Sequence, residues 1–334
     1  MGPMRKFFLL AIAAALLLAG CSRSPDHPPL RMYTSFDHNE AEIYIRAFEA
    51  DTGIPVKWVR MSSGEVLARV KAEAKNPQMG LWLAGTAADF TSAKKENLLA
   101  PYAPQTDFTL EPHQRDPAGY WTGFYFGVIG FASNTNFLAE HGLSPPSSWQ
   151  DLLKPEWQGQ IGLAYPYTSS TAYTLLASLV TLMGEDQAFD YMRRLDRQVH
   201  HYNKSGSACV TQVGLSELGV GIAFAHDILT KGAAKGYPVT LSFPAEGSGY
   251  EIGAMALIRG GPDHEPAQRF MDWMLSERGQ NLMQQWHRVP LHPRAQKAAL
   301  AVGQDQARLI HVDIDWAGQN RDRLIARWRE TTKR

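Results

Sequence analysis

The chain has 334 residues, with 33 Lys and Arg balanced by 33 Asp and Glu. It carries no basic block or aromatic-basic stripe, which argues against a nucleic-acid partner. Only two cysteines are present, Cys21 and Cys209, so a Cys-rich zinc site is not available.

At the N-terminus Arg5 and Lys6 precede the apolar run FFLLAIAAALLLA. A transmembrane helix needs about 20 apolar residues, so the shorter run reads as a signal peptide over residues 1–21. Its ending LAGC, Leu18 to Cys21, resembles the bacterial lipobox. That resemblance implies a lipidated Cys21 as the mature N-terminus and a periplasmic protein held at the membrane by that anchor alone. The alternative is an ordinary cleaved signal with a chance cysteine. SRSPDHPP, residues 22–29, is polar and proline-rich and suits a tether. With Cys21 acylated no intrachain disulfide can form, which leaves Cys209 as an inert buried thiol on a helix.

The remaining 300 or so residues are enough for two lobes. LRMYT, IPVKWVR and GLWLAG read as strands, and NEAEIYIRAFEADTG and GEVLARVKAEAKNP as the helices between them. Ile43, Tyr44, Ala47 and Phe48 form the inward stripe of the first helix, and Val66, Leu67, Val70 and Ala74 that of the second. Strand-helix alternation of this kind implies a parallel sheet. The pattern restarts beyond residue 130 with the strands GQIGLAYP, VHHYN and LGVGIAFAHD. Their helices are STAYTLLASLVTLMG, EDQAFDYMRRLDRQ and ACVTQVGLSE. EIGAMALIRGG is a further buried strand, followed by one or two helices. GYWTGFYFGVIGFASN and LSFPAEGSGYEIGAMAL are the candidate crossings between lobes, and two crossings make a hinged cleft. The expected fold is α/β and two-lobed, with residues 30–128 and 250–285 in one lobe and 129–249 and 286–334 in the other.

Four hydroxyl-rich turns follow strands. Thr34 and Ser35 follow the first; Ser62, Ser63 and Gly64, with Arg60 beside them, follow the second. Thr168, Ser169, Ser170 and Thr171, then Ser205, Gly206 and Ser207, follow strands of the second lobe. In open α/β sheets ligands sit at such carboxyl ends. A helix N-terminus attracts anions, hydroxyls add donors, and glycine lets the backbone approach. Any one of these turns alone is accounted for as an N-cap; four of them, two per lobe, point to an oxyanion held between the lobes. His226 and Asp227, read at the end of a strand, and Glu246 and Glu251 supply acceptors for sugar hydroxyls or an ammonium. The combination suits a phosphorylated or phosphonate-bearing organic molecule.

YTSFDHNEAEIYIRAFEADTGIPVKWVRMSSGEVLARVKAEAKNP, NLLAPY, SSTAYTLLASLV, YNKSGSACV and EGSGYEIGA together resemble the solute-binding lipoproteins of ABC importers. Within these the chain is similar to the ferric-binding-like group, which includes hexose-phosphate and 2-aminoethylphosphonate binders. The resemblance implies a type II periplasmic-binding-protein fold, no catalysis, no cofactor, a monomer, and delivery of the solute to a permease. It carries Ser35, Ser63, Ser170, Thr171 and Ser205 to the oxyanion end, and His226, Asp227 and Glu251 to the organic end. Sugar phosphate is favoured over organophosphonate. The iron binders of the group share an early histidine, a glutamate after the third strand and adjacent tyrosines. Here His38 can stand for the first, Gly85 and Thr86 replace the glutamate, and Tyr202 stands alone. Losing a carboxylate and a phenolate removes hard oxygen ligands that ferric ion needs, so no metal site is expected and ferric iron binding is the alternative to a phosphorylated solute. His200 and His201 face opposite sides of a strand and do not replace them. Gly80 stands where an acid often precedes the third strand. The rival class, a secreted phosphoester hydrolase, lacks both a G-x-S-x-G elbow and an H-E-x-x-H pair.

Overall fold

The computed structural model describes residues 28–334. Residues 1–27, where the signal peptide, Cys21 and most of the tether are expected, lie outside the described residues. No described helix is long and apolar enough to cross a membrane.

The first lobe begins with β1 (Leu30–Thr34), α1 (His38–Thr52), β2 (Val56–Arg60), α2 (Ser63–Ala72), β3 (Leu81–Thr86) and α3 (Ala87–Lys95). β1 pairs in parallel with β2 and with β3, as strand-helix alternation requires. α1 buries Ala41, Tyr44, Ile45 and Phe48 and stops at Gly53, which takes φ 73°. A β-carbon disfavours that left-handed conformation, and glycine has none. The buried stripe is rotated from the expected one, with Ile45 inward and Ile43 at its flank. On α2 Val66, Leu67 and Val70 are buried, whereas Ala74 lies beyond its end and is exposed.

After β4 (Leu99–Ala100) comes β5 (Thr122–Asn134), buried along its whole length. The second lobe holds α4 (Thr135–His141), β6 (Ile161–Ala164), α5 (Ser170–Met183), α6 (Glu185–Asp196) and β7 (Val199–Asn203). It continues with α7 (Ala208–Gly214), β8 (Val220–Phe224), α8 (Ala225–Lys231) and β9 (Val239–Ser242). The chain returns along β10 (Tyr250–Ile258), then α9 (His264–Leu275), α10 (Glu277–Asn281), β11 (Val289–Pro290) and α11 (Ile314–Thr332).

The strand order is β2-β1-β3-β10-β5-β8-β6-β7. β5 belongs to both lobes. Residues 122–128 pair with β10, while residues 129–134 pair with β8 and β9. β11 pairs with β5 at Phe126 and Tyr125, on the first lobe's side, where chain order alone would have put it with the second.

Each lobe has its own aromatic core. Phe36, Tyr44, Phe48 and Phe270 pack in the first, and Phe131, Trp149, Tyr173 and Trp328 in the second. α11 straddles them. Its Leu324 and Trp328 are in the second core, while a β-carbon on its Gly318 would come 2.5 Å from Thr91 of α3. Cys209 is fully buried beneath β8, and burial pushes its thiol up to about 12, as an inert thiol requires.

Candidate functional site

The turns after β1, β2 and β3 face those preceding α5, α7 and α8 across a cleft of about 510 Å³ including its mouth. Of the residues singled out from sequence, Ser35, Ser63, Ser169, Ser170 and Thr171 line it. So do Ser205, Gly206, His226, Asp227 and Glu251. Thr34 does not; it is buried, and its hydroxyl accepts from the Phe36 N–H at 3.3 Å. Gly64 is also absent from the wall, because it touches the other lobe. Its N–H donates to the Thr168 carbonyl at 3.0 Å, and a β-carbon there would come 2.3 Å from the Tyr167 carbonyl oxygen. The lobes therefore stand closed on each other at this point.

The hydroxyls differ in what they can still do. Ser63 donates its one proton to Asp89 Oδ2 at 2.5 Å, and Arg321 donates to the other oxygen of Asp89 at 3.0 Å. Toward the cleft Ser63 can then only accept, which does not suit the oxyanion end to which the family resemblance carried it. Ser169 accepts from the Ala172 N–H as the N-cap of α5, so its proton is free. Ser207 accepts from Lys231 at 2.6 Å and shares a 3.4 Å contact with Ser205 Oγ, in which either hydroxyl can donate, so this pair keeps one proton for the cleft. Ser35 Oγ is buried and has no hydrogen-bond partner among the described residues. Such a group costs free energy until something occupies it.

Ala84 and Gly85, in the last residues of β3, both take positive φ, 66° and 139°. Ala84 is uncommon there, and backbone strain of this kind, of order ~1–3 kcal/mol, gathers at functional sites. A β-carbon on Gly85 would press against Ser63 Oγ at 2.7 Å, so the glycine lets Ser63 reach Asp89.

The floor is built differently. His226 and Asp227 belong to the first turn of α8 and not, as expected, to the end of the preceding strand. His226 is only 4% exposed, stacked on Phe224 with ring centroids 5.4 Å apart. Arg288 donates to its Nε2 at 2.6 Å, which makes that nitrogen the acceptor and places the ring proton on Nδ1. Burial, then the Arg288 charge, hold the imidazole well below its ordinary pKa, so it is neutral. Arg288 is itself buried between the Phe36 and Tyr125 rings and forks onto both oxygens of Glu40 at 2.6 and 2.9 Å. Burial pushes Glu251 up to about 8 against the pull of Arg288, so this carboxyl keeps its proton at neutral pH. Burial likewise raises Asp227 to about 6, opposed by Arg288 and Lys231.

Arg288, Tyr125, Phe36 and Asp37 line the cleft although sequence reading did not single them out. Arg288 sits in HRVP with no motif around it. Its partner Glu40 is 248 residues away, so no local signal could have found it. Other candidates stand elsewhere. Glu246 accepts from the Trp149 N–H, His38 is exposed on Trp58, and Tyr202 packs on Trp328 while donating to Asp196. Among the described residues no group of three or more His, Cys, Asp or Glu is arranged to hold a metal ion.

Comparison with known proteins agrees with this architecture. Residues 82–319 match the model of a bacterial extracellular solute-binding protein family. An uncharacterised protein of Haemophilus influenzae is 32% identical, over 97% of each chain. A 2-aminoethylphosphonate-binding periplasmic protein, so named putatively, of Salmonella typhimurium is 24% identical over 73% of this chain and 71% of its own. The solved periplasmic binding protein AfuA of Actinobacillus pleuropneumoniae, with exogenous fructose-6-phosphate bound, superposes with a TM-score of 0.88. It is 32% identical, covering 91% of this chain and 98% of AfuA. The two-lobed type II fold, the cleft and these likenesses together place the chain in the bacterial extracellular solute-binding protein family, the periplasmic proteins that capture small solutes for ABC importers.

Proposed function

We propose that the cleft captures a phosphorylated sugar and delivers it to its permease. The observation that carries this reading is the division of the site. Turns from both lobes present free hydroxyl donors, while the floor presents His226 and Glu251 as neutral hydrogen-bonding groups. A protonated carboxyl both donates and accepts, which suits sugar hydroxyls, and it offers no charge to an ammonium. The fructose-6-phosphate in AfuA, whose chain this one matches along nearly its whole length, supports the same class. Helix termini alone do not suffice. Each contributes ~0.3–1 kcal/mol, against about 8 kcal/mol for micromolar binding, so closure and the floor supply most of the affinity.

Thermal denaturation with hexose 6-phosphates, the free hexoses, 2-aminoethylphosphonate, inorganic phosphate and ferric citrate tests this. A ligand at 100 times its Kd adds ~2.7 kcal/mol. Stabilisation by a hexose phosphate and not by its free hexose is expected. Asp227, raised only to about 6, is ionised at neutral pH and favours an ammonium. Stabilisation by 2-aminoethylphosphonate alone would therefore transfer the assignment to organophosphonates, and stabilisation by ferric citrate alone would defeat it.

A further inference from the structure

Asp37 occupies the N-cap position of α1, yet its side chain makes no capping hydrogen bond. Aspartate at that position ordinarily accepts from an N–H two or three residues on, for about 1 kcal/mol. Here the carboxylate is turned to two cations. Oδ2 lies 2.5 Å from the Lys231 ammonium, and Oδ1 lies 3.5 Å from the Arg60 guanidinium. Arg60 comes from the same lobe, whereas Lys231 ends α8 in the other. The same ammonium donates to Ser207 Oγ at 2.6 Å. One carboxylate thus neutralises a cation from each lobe.

The position of this cluster matters. Asp37, Arg60 and Ser207 line the cleft, and Ser207 belongs to the turn that offers Ser205 and Gly206 to an oxyanion. Asp37 and Lys231 also line an outer groove between the lobes, which shares Asp37, Asp227 and Arg288 with the cleft. The ion pair is therefore a partition between the site and the groove. Its side chains are 34% and 23% exposed, and Arg60 is 30% exposed, so the contact can part without opening a core. A phosphate dianion arriving at the Ser205–Ser207 turn attracts Lys231 and Arg60 and repels Asp37. Charge-assisted hydrogen bonds to phosphate are roughly twice as strong as neutral ones. A free hexose brings no charge with which to displace the carboxylate.

Resting on the phosphorylated-solute reading, we propose that Lys231 distinguishes a phosphorylated sugar from the free sugar. Asp37 is its placeholder: it holds Lys231 and Arg60 until the ligand's phosphate takes them over. Placing the second cation in the lobe opposite Arg60 ties charge recognition to closure, because the two meet one anion only when the lobes are together.

Isothermal titration at low ionic strength of wild type, Lys231→Met, Lys231→Arg and Asp37→Asn with a hexose 6-phosphate and its free hexose tests the proposal. Lys231→Met should weaken hexose phosphate binding about 30-fold or more, as truncating one partner of a close charge pair does. Lys231→Arg should restore most of it. Asp37→Asn should strengthen binding several-fold, and no variant should change the response to the free hexose. A loss within twofold for Lys231→Met, or a loss for Asp37→Asn matching that of Lys231→Met, overturns the proposal; the second result would make Asp37 a ligand contact. Should Lys231→Met not fold, the direction of the Asp37→Asn change decides. Wild type that binds no hexose phosphate overturns the sugar-phosphate reading itself, a separate result visible before any variant is made.

Discussion

The walls and the floor of the cleft follow different rules. Each wall is local: a strand ends, serines and threonines turn the chain, and a helix begins within a few residues, as at Ser62–Ser63 and Ser169–Ser170. The floor is assembled from Glu40 of α1, Tyr125 of β5, His226 of α8, Glu251 of β10 and Arg288 beside β11, all buried. Apart from Ser63, which is tied to Asp89, wall hydroxyls can rotate toward a ligand or water at little cost. Floor groups are locked by a buried guanidinium that serves Glu40 and His226 at once. The walls therefore supply capture, and the floor supplies a fixed pattern of donors and acceptors against which a solute is measured.

Three changes sharpen that contrast. The largest effect is expected on the floor. Arg288→Met leaves Glu40, 3% exposed, as a buried charge without its partner, which costs about 3–5 kcal/mol. Urea unfolding should show that loss, and adding Glu40→Gln should recover much of it. An unchanged midpoint would mean that the floor is not the rigid part. On the wall the effect should move from stability to binding. Gly64→Ala puts a methyl against the Tyr167 carbonyl and holds the lobes apart. Hexose phosphate affinity should drop about 100-fold, equivalent to ~2.7 kcal/mol, while stability stays level or rises slightly because alanine favours the helix by up to ~1 kcal/mol. Small-angle scattering should show a more open particle, and undiminished affinity would show that closure at Gly64 is dispensable.

The third change reads out as a pH dependence. Glu251 keeps its proton in the folded protein up to about 8, against an ordinary value of 4.5. Between those values the folded state binds more protons than the unfolded state, so stability falls as pH rises through the window. Asp227 adds the same sign between 3.8 and about 6. Glu251→Gln removes the larger part of that slope, so its melting temperature should gain on wild type steadily from pH 5 to pH 8. A constant difference across that range would mean that Glu251 is ionised throughout.

Much of the fold was legible because it is written in short-range pattern. Alternating strands and helices, the Gly53 stop and the serine turns all act within a few residues of themselves, and the family likeness rests on the same segments. Strand order at β11 was not legible, since two residues carry no periodicity and their pairing with Phe126 and Tyr125 is decided by packing. His226 and Asp227 were found as a pair but placed on a strand. Their segment AFAHD continues an apolar run, and only the contact with Arg288 and Phe224 shows the helix turning them inward.

The sequence by itself determined the two-lobed α/β plan, the serine and threonine turns and the acids that could accompany them, because these depend on local hydrogen bonding and side-chain periodicity. Tertiary structure alone decided which hydroxyls keep a free proton, that Glu251 is neutral, and that Lys231 and Arg60 share one carboxylate. Those properties depend on burial and on charges brought together from distant parts of the chain, and a carboxyl's pKa or a hydroxyl's direction has no value until its neighbours are in place.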